Sequence, residues 1–127
     1  DDSGNNVIQF SGPGGTANGY SYPGWDNTTH KTITWDMNIT EDVVIYVGVD
    51  TPAGFRYMKY NTTDTVRQKN ATYVNFALTS AIKDGAWHTF ERNLAIDLDT
   101  VQSGNTITKI HGIWIRGNGM VDNIIMK

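Results

Sequence analysis

A chain of 127 residues is one domain by length, and folding at that size buries roughly two-thirds of the unfolded surface, enough for a core without covalent staples. No cysteine is present, so neither a disulfide framework nor a thiolate-zinc site exists. The formal charge of -3, with basic residues scattered among acids, leaves no stripe to neutralise phosphates or anionic lipid, and the expected partners include neither nucleic acid nor a membrane.

The start, Asp1-Asp-Ser-Gly-Asn-Asn6, is polar and reads as a linker-like lead over residues 1–6, with 7–127 a single unit. Val7 to Ser11 is a short strand, and Gly12-Pro-Gly-Gly15 is a loop in which no regular element persists. Tyr20 to Pro23 is extended and Gly24-Trp-Asp-Asn27 turns. From Lys31 to Asn38, Ile33, Trp35 and Met37 alternate against Thr32, Thr34, Asp36 and Asn38, the pattern of a strand with one buried and one wet face. Val43 to Asp50 is apolar on both faces, as in a central strand covered on both sides, although at this length it cannot span a bilayer.

Thr51-Pro-Ala-Gly54 is turn chemistry of hairpin length, so Phe55 to Tyr60 should return antiparallel, with Phe55, Tyr57 and Lys59 opposite Arg56, Met58 and Tyr60. Asn61 to Ala71 is a long polar loop. Tyr73 to Leu78 is a strand, Lys83 to Ala86 a turn, and Trp87 to Asn93 another strand. Leu94 and Leu98 give the stretch Leu94–Asp99 the one helix-like spacing in the chain, which predicts a single short helix. In Gly112 to Met126, two runs of strand formers flank Gly117-Asn118-Gly119, which predicts a β-hairpin closed by a three-residue loop. Ile113 and Ile115 share its core face, and Trp114 and Arg116 the other. Asp122 falls on an apolar face with Ile124 and Met126, so its carboxylate needs pairing or coordination.

Short strands, turn signals every ten or so residues and almost no helix predict an all-β fold: an antiparallel β-sandwich of jelly-roll type with at most one short helix. Four triplets, at Asn27, Asn38, Asn61 and Asn70, match the N-glycosylation acceptor pattern. An Asn-Thr-rich chain also produces such triplets by chance, and both readings lean towards an extracellular or cell-surface protein.

Three stretches together resemble a known family: Thr51-Pro-Ala-Gly-Phe-Arg-Tyr-Met-Lys-Tyr60, Trp87-His-Thr-Phe-Glu-Arg-Asn-Leu94, and Gly112 through Ile124. The chain from Trp35 onward is similar to the galactose-binding-like, jelly-roll carbohydrate-binding modules appended to secreted polysaccharide-degrading enzymes and surface proteins. The resemblance implies sugar binding without catalysis, a place in a larger multidomain chain, and a structural calcium near the meeting of first and last strands. Asp122 matches the acid of the family's final Asp-x-Ile pattern, whereas the first strand offers Gln9 in place of an acid.

Sugars present C–H faces ringed by hydroxyls, so a site for them wants flat aromatic rings and fixed planar hydrogen-bonding groups. Trp25, with Tyr20 and Tyr22 beside it in a Gly-rich loop, is one candidate, against the alternative of a lid packed on the core. Tyr46, Tyr57 and Arg56 are strand candidates, and Trp114 with Arg116 could clamp a sugar ring or a uronate. Trp35 and Trp87 are read as core. For Asp122 three readings stand open: an ion pair with Arg116 across the hairpin, a calcium, or solvation at a strand end.

Catalytic constellations are thin. His30, His88 and His111 lack metal-ligand spacing, Asp97 and Asp99 sit on one short element and cannot flank a scissile bond, and no serine occupies a nucleophile elbow. The expected function is therefore a non-catalytic module, monomeric in isolation, that targets an attached enzyme or surface protein to a polysaccharide or oligosaccharide. Its ligand-binding candidates are Tyr22, Trp25, Tyr46, Arg56, Tyr57, Trp114 and Arg116, with Asp122 as the metal candidate. The alternatives are a structural or adhesion domain without sugar affinity and a small jelly-roll hydrolase or lyase.

Overall fold

The computed structural model describes residues 7–11, 18–62, 67–68 and 70–127. The expected lead over 1–6, the Gly12–Gly15 loop and part of the Asn61–Ala71 loop lie outside them. The described residues form ten strands: β1 (Ile8–Ser11), β2 (Asn18–Tyr22), β3 (Thr32–Asn38), β4 (Val44–Thr51), β5 (Gly54–Asn61), β6 (Arg67–Gln68), β7 (Tyr73–Ala77), β8 (Trp87–Asn93), β9 (Lys109–Arg116) and β10 (Asn118–Met126). They also form a 3-10 turn at Ser80–Ile82 and a helix, α1 (Leu94–Val101). The strands form a four-stranded sheet, β1-β10-β3-β8, and a six-stranded sheet, β2-β9-β4-β5-β7-β6, giving the expected all-β sandwich of jelly-roll type, with the chain crossing repeatedly between sheets. Among the described residues every strand pairing is antiparallel except β5 with β7.

The alternation read from sequence places the core. Ile33, Trp35 and Met37 of β3 meet Ile45, Val47 and Val49 of β4, Met58 and Tyr60 of β5, Val74 and Phe76 of β7, and Ile113 and Ile115 of β9, all of them buried. Trp35 lies among them, stacked on Phe90 with ring centroids 5.0 Å apart. Asn93 caps α1 by accepting from the Ile96 amide at 3.0 Å, and Leu94 and Leu98 bury its inner face.

Asp97, on the same helix, accepts from the Tyr60 hydroxyl at 2.7 Å and from Arg92 Nε and Nη2 at 2.9 and 3.0 Å. Burial, and then the Asp97 carboxylate, push the Tyr60 phenol well above its ordinary value of 10.0. A group whose folded pKa is raised contributes stability that is complete below its unfolded pKa and is lost as pH rises through the folded one, so the fold should weaken above about pH 10. Tyr20 and Tyr46 shift in the same direction. Tyr60→Phe should cost about 2 kcal/mol, the worth of a hydrogen bond to a charged acceptor, and should reduce the alkaline slope in urea melts by roughly one proton.

Two expectations are overturned here. Gly112 to Met126 is not a hairpin: β9 pairs with β2 and β4 in the six-stranded sheet, β10 pairs with β1 and β3 in the other, and the chain changes sheets at Gly117. Gly117 has φ +115, and an added Cβ there would lie 2.9 Å from the Asp42 carbonyl oxygen. Positive φ serves a sheet crossing as readily as a hairpin turn, so the Gly-Asn-Gly composition records a bend and not its partner. Trp87 is not core either. It starts the edge strand β8 on the solvent face, 39% exposed, while Phe90 of the same strand turns inward onto Trp35.

Of the acceptor triplets, Asn61 is 1% exposed, so a glycan there is incompatible with the folded state. Asn27 closes its own turn, with Oδ1 accepting from the Thr29 and His30 amides at 3.1 and 3.0 Å and Nδ2 donating to the His30 carbonyl at 2.6 Å.

Candidate functional site: an aromatic sheet face

The outer face of the six-stranded sheet collects side chains that alternate with the core positions. Tyr46 on β4 lies in register between Lys59 of β5 and Trp114 of β9, and Gly48 lies between Tyr57 and Gly112. Parallel pairing then sets Tyr73 of β7 beside Tyr57. Tyr57 is the hub: it stacks on Tyr73 at 5.4 Å and makes edge contacts with Phe55 at 4.8 Å, with Tyr46 at 5.8 Å and with Trp114 at 5.8 Å. Such edge and offset contacts hold rings in fixed orientations.

Gly48 creates the room for this. A Cβ at that position would sit 3.0 Å from the Trp114 ring and 3.1 Å from the Phe55 ring, so those two rings lie across the central strand because it has no side chain there. Tyr46, Tyr57, Tyr73, Trp114 and Arg116 line a hollow of about 100 Å³. The Arg116 guanidinium carbon lies 4.9 Å from the Tyr46 ring centroid, and its Nη1 donates to the Tyr46 hydroxyl at 3.4 Å. Burial raises the Tyr46 pKa, with Arg116 pulling against it. At one end of the face, His111 stands 5.6 Å from Phe55 and 2.9 Å from an Asp50 oxygen.

Four of the candidate residues, Tyr46, Tyr57, Trp114 and Arg116, therefore converge on one hollow. Arg56 does not. It points to the opposite side of β5, where it donates to Gln102 Oε1 at 3.2 Å and to the carbonyls of Phe55 and Ala53 at 3.0 and 3.4 Å, tying the β4–β5 turn to the end of α1. Tyr22 and Trp25 meet each other, with centroids 6.3 Å apart, but elsewhere: Ser21 is the β2 residue opposite Trp114, so Tyr20 and Tyr22 take the other face and with Trp25 and Ile124 line a separate hollow of about 190 Å³. Trp25 is half-buried against the core there, and Tyr22 is 49% exposed.

Asp122 lies in the four-stranded sheet, opposite Asp36 in register, and the Arg116 ion pair is overturned by the sheet change at Gly117. Solvation at a strand end is overturned too, since Asp122 is 6% exposed. Its Oδ1 accepts from the Asn123 amide at 2.8 Å, while Oδ2 is buried without a hydrogen bond among the described residues. Asp36 opposite it has both oxygens engaged, by Thr89 at 2.6 Å and Asn123 at 2.8 Å.

Tyr73 and Phe55 were not among the candidates. Phe55 shares the strand face of Tyr57 and was visible by alternation; Tyr73 depends on a parallel pairing that no local signal announces. Comparison with protein-family models and with curated proteins gives no match.

Proposed function

We propose that this chain is a non-catalytic polysaccharide-binding module, holding an attached enzyme or surface protein at its glycan through the aromatic face of the six-stranded sheet. The observation that carries the reading is the hollow of Tyr46, Tyr57, Tyr73, Trp114 and Arg116, in which pre-oriented rings stand beside a planar cation on a rigid sheet. Rings offer the apolar surface that a sugar's C–H face packs against, and the phenol and guanidinium groups match its hydroxyl rim. A few such contacts with little ordering cost place dissociation constants between micromolar and millimolar, roughly -8 to -4 kcal/mol. Affinity electrophoresis of the chain through gels containing a panel of polysaccharides tests this: retardation by at least one supports a binding module, and free migration through all of them supports the structural or adhesion alternative. Release of reducing sugar or of unsaturated uronate would instead favour a hydrolase or lyase.

A structural calcium belongs to the same proposal. The orphaned, buried Asp122 Oδ2 is an acceptor of the kind a hard cation takes, and main-chain carbonyls would have to supply most of the remaining oxygens. Calcium at a hundredfold excess over its dissociation constant should then stabilise the chain by about 2.7 kcal/mol, a gain that chelator and Asp122→Asn both remove. A melting temperature indifferent to calcium and chelator would retire the ion.

A further inference from the structure

We infer that Phe55, Asp50 and His111 form a second sugar subsite on the same sheet face, so that the ligand recognised is a run of linked sugars and not a single unit. The inference rests on the binding-module reading and extends it along the sheet.

Strict alternation along β9 would turn His111 inward with Ile113 and Ile115. A bulge turns it out. Gly48 of β4 pairs with Gly112, whereas the next residue, Val49, pairs with Ile110, so His111 is left with no residue opposite it. Its ring comes to the outer face, 5.6 Å from Phe55, with Nε2 2.9 Å from Asp50 Oδ1. The main chain of the bulge is held too: the Trp25 amide donates to the His111 carbonyl, and the Asn27 amide to that of Ile110, each at 3.0 Å. Lys109, opposite Asp50 in register, has its ammonium 3.2 Å from Asp26. Among the described residues, Asp50 Oδ2 and His111 Nδ1 carry no hydrogen bond, and both side chains are partly exposed beside the exposed Phe55 ring. A carboxylate oxygen accepts from a sugar hydroxyl, an imidazole nitrogen bonds another, and the ring packs against a C–H face. The chemistry of the hollow is thus repeated at the far end of the face. Tyr57 joins the two, edge-on to Phe55 at 4.8 Å and to Trp114 at 5.8 Å. From Tyr46 to Asp50 along β4 is about 13 Å, a span that no single pyranose covers.

The test is isothermal titration of the intact chain and its variants with disaccharides and hexasaccharides of a galactan, a xylan, a glucan and a polygalacturonate. The expected result is that at least one hexasaccharide binds about tenfold or more tightly than its disaccharide. His111→Ala and Asp50→Asn should each lower hexasaccharide affinity about five- to tenfold and leave disaccharide affinity unchanged, because the shorter ligand is held by the hollow alone. Trp114→Ala, in contrast, should weaken both lengths. Equal affinity for the two lengths, or equal losses on both in Asp50→Asn, overturns the second subsite and leaves the module reading standing. Absence of binding to every oligosaccharide overturns both. Should His111→Ala melt early, Asp50→Asn, which keeps the shape of the side chain, carries the comparison, and a hexasaccharide affinity unchanged in that variant counts against the subsite.

Discussion

Trp114→Ala should lower polysaccharide affinity about thirtyfold, the ~2 kcal/mol expected of a ring at the centre of a contact surface, while leaving the sandwich folded. The ring lies outside the core: it covers Gly48 and meets Tyr57 edge-on at 5.8 Å, so its removal costs the fold about 1 kcal/mol in lost ring contact. Trp35→Ala is the informative contrast. That ring is 1% exposed and stacked on Phe90, so its truncation should cost about 3–5 kcal/mol and depress the melting temperature before binding can be assayed. Isothermal titration and a thermal melt on both variants separate the two roles. Loss of stability in Trp114→Ala comparable with that in Trp35→Ala would reassign Trp114 to the structure of the fold.

Gly112→Ala should be as damaging as a core truncation, although it adds only a methyl group. The new Cβ would collide with the Tyr22 carbonyl oxygen and sit 2.6 Å from Pro23 Cα. Both obstacles are main chain, so no side-chain rotation relieves the overlap. The segment that crosses there is also tied down: the Trp25 amide donates to the His111 carbonyl at 3.0 Å, and Asn27 exchanges backbone hydrogen bonds with Ile110 at 3.0 and 2.7 Å. Either β2 lifts from β9 or the strand deforms, for an expected loss of about 3 kcal/mol, seen as a fall of roughly 10 °C in the melting temperature. Gly104→Ala is the control. Its φ is +82 but nothing lies within 4 Å of an added Cβ, so only the left-handed backbone is penalised, by about 1 kcal/mol. Equal effects at the two positions would contradict the close crossing of Tyr22-Pro23 over β9.

Period-two alternation made β3, β4, β5 and the inward residues of β9 legible, because a strand with one dry face must repeat apolar side chains at every second position. It also separated Arg56 from Tyr57 by face, and grouping the two as one site went against that alternation. Pairing was less legible. The bend at Gly117 looked like a hairpin because glycine reports backbone freedom and says nothing about which sheet receives the next strand. Tyr73 reaches the site only because β6 folds back outside β7, leaving β7 parallel to β5, and that arrangement is decided by tertiary packing. Trp87 misled for a related reason: an indole at the start of an edge strand need not be covered, since its size buries part of it wherever it lies. The charged partner of Tyr46 was half visible. Arg116 was paired with Trp114 by alternation, yet its approach to Tyr46 depends on β9 lying beside β4.

Amide and side-chain chemical-shift mapping during titration with an oligosaccharide drawn from a retarding polymer reports directly on where the sugar sits. The shifts should concentrate at Tyr46, Tyr57, Tyr73, Trp114 and Arg116, with Tyr22 and Trp25 unmoved. Shifts confined to Tyr22, Trp25 and Ile124, or no change at the five sheet residues at saturating oligosaccharide, would contradict binding on the outer face of the six-stranded sheet.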